Sequence, residues 1–353
     1  MIRRQFAVLI FVSLLLLTNG AFAKEPYRMG TTTAGFLEIG VGAAGIAMGD
    51  AFVASANDLS AMYWNPAGLA LIETNQALFM YQPWVVDVST IYVGFGLAFP
   101  RLGNIGVGVF GMSYGDIDVT TMEYQNGTGE QYTAYDYAFN LTYARSLAQW
   151  FSFGAAAKFV NSKIWHSTAS AFALDLGVLV QTNFFSATGR QEDGLKIGMS
   201  IANYGSKMRY DGLDLMFPVD IDQDHDGNYQ NLQAKYNMQD WELPLLFRVG
   251  IAVDPIVISN QRLTLEVDAL HPNNMSEFIN AGAQYTFTVP GFGDFFLRGG
   301  YKALFMVDSN YGPTFGGGLK MFVGPQKHIN IDYAYRSIGD LGNVHTTSLG
   351  IAF

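Results

Sequence analysis

The chain has 353 residues, half of them apolar and only 14% charged, where a soluble domain carries roughly a quarter charged residues. Its 39 glycines and its aromatic residues (27 Phe, 19 Tyr and 5 Trp) suit many short strands joined by tight turns, not a helical bundle. The absence of cysteine excludes disulfides, thiolate metal sites, cysteine nucleophiles and a lipid-anchored cysteine, and a net charge of -10 argues against a nucleic-acid partner.

In chain order, residues 1–23 are expected to be a cleaved signal peptide. Arg3 and Arg4 precede an apolar run from Phe6 to Leu17, and Ala21-Phe22-Ala23 supplies the small-x-small cleavage site. Removing two arginines from 20 basic residues leaves 18 against 30 acidic ones, or -12. No later run of about 18 apolar residues offers a spanning helix, so entry into a membrane requires a barrel.

Residues 24–74 form the next expected unit. From residue 30 to 72 the chain is dense in glycine and alanine and does not alternate, which predicts a compact hatch, or plug, inside a barrel, where small residues allow close approach to the wall. Within it Tyr63, Trp64, Asn65, Pro66, Ala67 and Gly68 stand out. Asn65 before Pro66 suits a helix start, since Asn caps exposed amides and proline tolerates the first position. Gly40-Val41-Gly42-Ala43-Ala44-Gly45 fits G-x-G-x-x-G, yet no strand-helix-strand unit surrounds it, so a dinucleotide site is not expected.

Residues 75–353 are read as the barrel. Apolar and polar or small residues alternate in segments of about ten, the pattern of strands with two unlike faces. Ile329, Ile331, Tyr333 and Tyr335 interleave with His328, Asn330, Asp332, Ala334 and Arg336. Segment after segment, the bulky rings and branched chains share one face, while glycine, alanine and ions share the other. That is the inversion expected when lipid lies outside. The pattern predicts about 14 strands, which places both ends of the barrel on one side.

If the first strand runs outward, the short connections 101–103, 147–150 and 324–327 face the periplasm, and the two longest, 115–135 and 204–243, face outward. Gly111-Met112-Ser113-Tyr114-Gly115 fits G-x-S-x-G but ends a strand and enters a polar loop, so it lacks the nucleophile elbow. The five histidines show no metal spacing, and no enzymatic activity is expected. In the loop 204–243, Asp222, Asp224, Asp226, Asn228 and Gln230, with Gly227, reproduce the first part of a calcium loop. The twelfth position is Gln233 in place of the bidentate glutamate. A weak calcium site and a simple solvated acidic tip both remain open.

Arg248, Glu266, Asp268, Arg298, Lys302, Lys320, Asp332 and Arg336 all have inward parity. Buried ions must be paired or meet water, so these eight predict either a mixed-sign network holding the hatch or a wet polar lumen. The closing strand places Leu349, Ile351 and the terminal Phe353 on one outward face, similar to the assembly signal that the barrel-assembly machinery reads.

The stretch Ile39 to Ala70, and above all Tyr63-Trp64-Asn65-Pro66-Ala67-Gly68-Leu69-Ala70, resembles the N-terminal hatch of the FadL superfamily of outer-membrane proteins in the version of the PorV/PorQ family. Trp241 to Gly250, Asp332 to Tyr335, Leu341-Gly342 and Ser348-Leu349 are similar to the later strands of that family. The resemblance implies a 14-stranded all-β barrel with a hatch in the outer membrane of a Gram-negative-type bacterium. It also implies a role in type IX secretion, engaging cargo or the translocon. The alternative it implies is FadL-like transport of long-chain fatty acids or other hydrophobic small molecules. Expected partners are outer-membrane lipid, the barrel-assembly machinery and either secretion proteins or hydrophobic ligands; no cofactor is expected beyond calcium in the outer loop.

Overall fold

The computed structural model describes residue 28 and residues 30–222, 224–225, 231–306 and 309–353. The signal-peptide reading of residues 1–23 lies outside these. Fourteen strands form the wall. In the first half they are β1 Gln76–Pro83, β2 Ser89–Leu97, β3 Asn104–Asp118, β4 Gln131–Ala148, β5 Phe151–Ile164, β6 Ser167–Gln181 and β7 Lys196–Gly205. The second half comprises β8 Leu246–Ile258, β9 Gln261–Pro272, β10 Phe278–Val289, β11 Gly293–Leu304, β12 Pro313–Gly324, β13 Lys327–Ser337 and β14 Asn343–Ala352. Each pairs antiparallel with its neighbour in sequence, and β1 pairs with β14 from Gln76↔Ala352 to Tyr81↔Thr347. That pairing closes the sheet, so the wall has no free edge.

The period-2 pattern decides which face meets what. Outward residues such as Phe79, Phe95, Phe139, Leu141, Phe172, Leu297, Phe315 and Ile331 are exposed, while Gly, Ala and polar residues between them are buried. A surface of exposed rings is stable only against hydrocarbon, so the chain is a transmembrane barrel. Leu349, Ile351 and Phe353 lie on this outward face, and the Phe353 N–H donates to Asn75 O at 2.9 Å.

Most connections at the end where β1 starts and β14 stops are tight. Gln149-Trp150, Asn260 and Gln326 lie in turns of this kind, and Gly103, with φ 98°, adopts a left-handed conformation that favours glycine. This end is periplasmic by the usual rule of short inner turns. One connection departs from it: residues 182–195, between β6 and β7, are long and carry a 3-10 turn at Gln191–Asp193. At the opposite end β3 and β4 continue as a hairpin beyond the membrane, so the connection expected at 115–135 shrinks to 119–130. The period-2 pattern fades there because both faces meet water.

Described parts of the longest outer connection, 206–245, are folded. Met216–Val219 pairs with Leu232–Lys235 as a hairpin, and Asp211–Gly212 adds to the end of β6. Tyr210 reaches the Ser162 hydroxyl at 2.5 Å, Ser162 donates to Asp136, and Tyr114 donates to Asp136 at 2.5 Å. This loop therefore covers part of the outer mouth.

Candidate functional site

Residues 34–72 are almost entirely buried. They make a 3-10 turn Gly35–Glu38, helices α1 Ala43–Ala47 and α2 Ala61–Trp64, and a 3-10 stretch Pro66–Leu71. None is long enough to be stable alone, so the wall must hold them. Polar contacts surround the segment. Asn104 on β3 donates to Leu69 O and Ile72 O at 2.8 and 2.7 Å, Ser200 on β7 donates to Trp64 O at 3.0 Å, and Thr314 on β12 donates to Ala47 O at 2.9 Å. On β14, Ser348 accepts from the Ala43 N–H at 3.3 Å. The buried segment thus touches strands from several sides of the barrel.

Five of the eight inward charges touch this segment directly. Asp268 accepts from the N–H groups of Phe52 and Val53 at 2.8 and 3.1 Å, and Glu266 from that of Ala54 at 2.6 Å. Arg248, 2% exposed, lies 5.1 Å over the Tyr63 ring and 5.8 Å over Trp64, and donates to Tyr63 O at 3.3 Å. Lys302 pairs with Asp50 at 2.8 Å; Arg336 pairs with the other oxygen of Asp50 and donates to Ile39 O at 3.0 Å. Arg298 and Asp332 pair with each other at 2.6 Å, and Arg298 also donates to Gln284 at 2.6 Å. Lys320 stands apart, 5.9 Å above Phe322, with no carboxylate in ion-pair range among the described residues.

Asp50 is the residue that sequence reasoning passed over. It has φ 63° and is 4% exposed, and its backbone O accepts from Asn280 at 3.2 Å. A signal was present: between Glu38 and Glu73 the only charges are Asp50 and Asp58. A lone acid in an apolar segment needs a cation from elsewhere. Asp58 accepts instead from Ser60 N–H and Oγ at 2.8 and 2.5 Å, and desolvation pushes its carboxyl above the usual range. Lys158 and Asp175 form another buried pair at 2.6 Å, which Asn203 joins at a bulge of β7.

The motif residues sit at the centre of the segment. Trp64 Nε1 donates to Val41 O at 2.8 Å and Tyr63 donates to Leu37 O at 3.0 Å. Asn65 Oδ1 accepts from the Ala67 N–H at 3.1 Å, while its Nδ2 donates to Val53 O and Val178 O at 2.9 and 3.0 Å. One side chain thus starts the 3-10 stretch, bridges two parts of the segment and reaches the wall. Pro66 occupies the first position, and Gly68 leaves no space for a Cβ against Ala56 O.

Below the segment a vestibule of about 1190 Å³ is lined by residues of the inner wall and inner connections, among them Asp58, Glu73, Arg190, Lys196, Arg298 and Lys320. Above it, between the segment and β8–β11, lies a cavity of only about 40 Å³, where Leu246, Leu270 and Phe278 meet Arg248 and Lys302. It has room for a few waters at most.

Of the acidic string, Asp222 accepts from the Asp224 N–H at 3.3 Å and faces His225 at 3.2 Å. Asp226, Asn228 and Gln230 lie outside the described residues. No group of three or more acidic or histidine side chains among the described residues could hold a metal. The serine string runs on within β3 to Asp118, and the glycine string leads into the five-residue α1 with no parallel strand beside it.

Three comparisons bear on this arrangement. A family model described as "Type IX secretion system protein PorV" matches residues 22–237. No curated protein matches the chain. Among solved structures, the Pseudomonas putida toluene transporter TodX is similar at 11% identity and TM-score 0.53, over 88% of this chain and 97% of that one. The Ralstonia pickettii toluene transporter TbuX is similar at 13% identity and TM-score 0.50, over 89% and 97%. A Pseudomonas aeruginosa FadL homologue is similar at 11% identity and TM-score 0.50, over 93% and 99%. At such identities the structural likeness speaks for the fold alone.

Proposed function

The chain belongs to the PorV family of type IX secretion system proteins, and from that premise we propose that it works by binding, with its outer loops engaging secreted cargo or the translocon. It is an outer-membrane barrel of that class. Residues 34–72 act as a plug that keeps the barrel closed to ions while the outer face is occupied. The observation that carries this reading is the ring of contacts from β3, β7 to β9, β11 to β13 and β14 to one buried segment. A pore would require breaking the two buried ion pairs of Asp50 together, which leaves uncompensated charges, along with the hydrogen bonds of Glu266 and Asp268 to the segment.

The closing ridge Leu349, Ile351 and Phe353 serves as the assembly signal in this account, and outer-membrane lipid is the partner of the outward rings. Loss of the protein should trap in the periplasm cargo that carries the matching C-terminal signal domain, and the full chain should co-purify from native membranes with translocon or cargo. Normal export in its absence, with the chain recovered alone, contradicts the reading.

A second reading, passage of hydrophobic small molecules, is supported by two structural neighbours that are toluene transporters and by the apolar part of the upper cavity's lining, where Leu246, Leu270, Phe278 and Met306 gather. Against it stands the size of that cavity, about 40 Å³, too small for an aromatic ring or a fatty chain. Uptake of a labelled hydrophobic compound that depends on the barrel would favour it.

A further inference from the structure

The plug has two ends, and they leave the barrel by opposite mouths. Downstream, residues 72–75 lead into β1 at the periplasmic end, where Asn75 meets Phe353. Upstream, residues 31–33 lie among the outer loops. Thr32 forms a parallel bridge with Glu242, and the Thr33 N–H donates to Glu242 O at 3.0 Å. Glu242 belongs to the connection between β7 and β8, which lies at the outer end. A second outer connection agrees: Asn274, between β9 and β10, donates to both Thr32 Oγ1 and Glu38 at 3.1 Å. Arg28 closes the series, pairing with Glu242 at 2.9 Å where both side chains are open to water, 56% and 40% exposed.

We infer that residue 28 and residues 30–33 belong to a strap on the extracellular face, so that the plug runs the whole length of the lumen and its upstream end is accessible from outside the cell. This placement does not depend on a role in secretion. The strap is the least secured part of the segment. Its ion pair is exposed, where salt and water screen it, whereas the Asp50 pairs below are buried. It can therefore open locally while the clamp around Asp50 holds. An extracellular polypeptide that pairs with Glu242 in its place would gain a direct handle on the plug, since only residues 34–49 separate strap from clamp.

The chain has no cysteine, which allows a direct test with single-cysteine variants of the full chain in living cells and a membrane-impermeant maleimide. Arg28→Cys should label on intact cells to the same extent as Glu123→Cys in the connection between β3 and β4. Arg101→Cys, in the turn between β2 and β3, should label only after the outer membrane is opened. Separately, Thr32→Cys with Glu242→Cys should cross-link under mild oxidation. Failure of Arg28→Cys to react on intact cells, or failure of the pair to cross-link, overturns the inference.

Discussion

The two halves of the wall hold the segment 34–72 in partly different ways. Strands β8–β13 grip it with ions: Arg248, Glu266, Asp268, Lys302 and Arg336 all end on its backbone or on Asp50. Strands β2–β6 carry almost no such contacts and rely on close approach. A Cβ at Gly106 would overlap the Met62 sulfur, one at Gly96 would overlap Leu59, and one at Gly154 would overlap the Pro66 carbonyl. The absence of side chains gives fit on both sides, since a Cβ at Gly282, Gly300 or Gly316 would overlap Met48 or Ala47; charge adds direction and register on one side only. The difference teaches that the proposed closure needs both, because an ionic clamp cannot seal gaps and close packing cannot fix orientation.

Substitutions on the two sides should separate these roles. Asp50→Ala strands two buried cations, Lys302 and Arg336, and should cost about 3–5 kcal/mol in urea unfolding of the lipid-embedded barrel. A loss under about 1 kcal/mol would mean that water already screens the clamp. Glu266→Ala leaves the Ala54 N–H without its acceptor and should cost about 1–3 kcal/mol in the same assay, while Glu266→Gln, whose amide oxygen still accepts, should recover most of it. On the other side, Gly106→Ala should cost about 1 kcal/mol, since the Met62 thioether is flexible enough to give way. Lys320→Ala should lie within about 0.5 kcal/mol of the parent, because its ammonium takes no part in the clamp. A large effect there would make the vestibule part of the closure.

Much of this architecture is legible in the sequence, for reasons specific to its elements. Along β13, Ile329 to Arg336 sorts rings from ions with period two, and that period fixes the face of every residue whatever its partner. The 30–72 stretch stands apart in the sequence because it breaks the period with small residues. What cannot be read is which inward group meets which part of the plug. Parity places Arg336 and Lys302 in the lumen, but their convergence on Asp50 depends on the barrel closing around a folded segment. For the same reason Lys320 shares the inward parity and joins no ion pair among the described residues. Beyond the membrane the rule lapses: β3 and β4 run on as a hairpin with both faces wet, and the connection 182–195 is long on the inner side.

Conductance of the purified barrel in planar bilayers tests the closed lumen most directly. The intact chain should be electrically silent, and Asp50→Ala should show intermittent openings as the clamp fails. A large, steady, ohmic pore from the unaltered chain would contradict the account, since residues 34–72 could not then be filling the barrel.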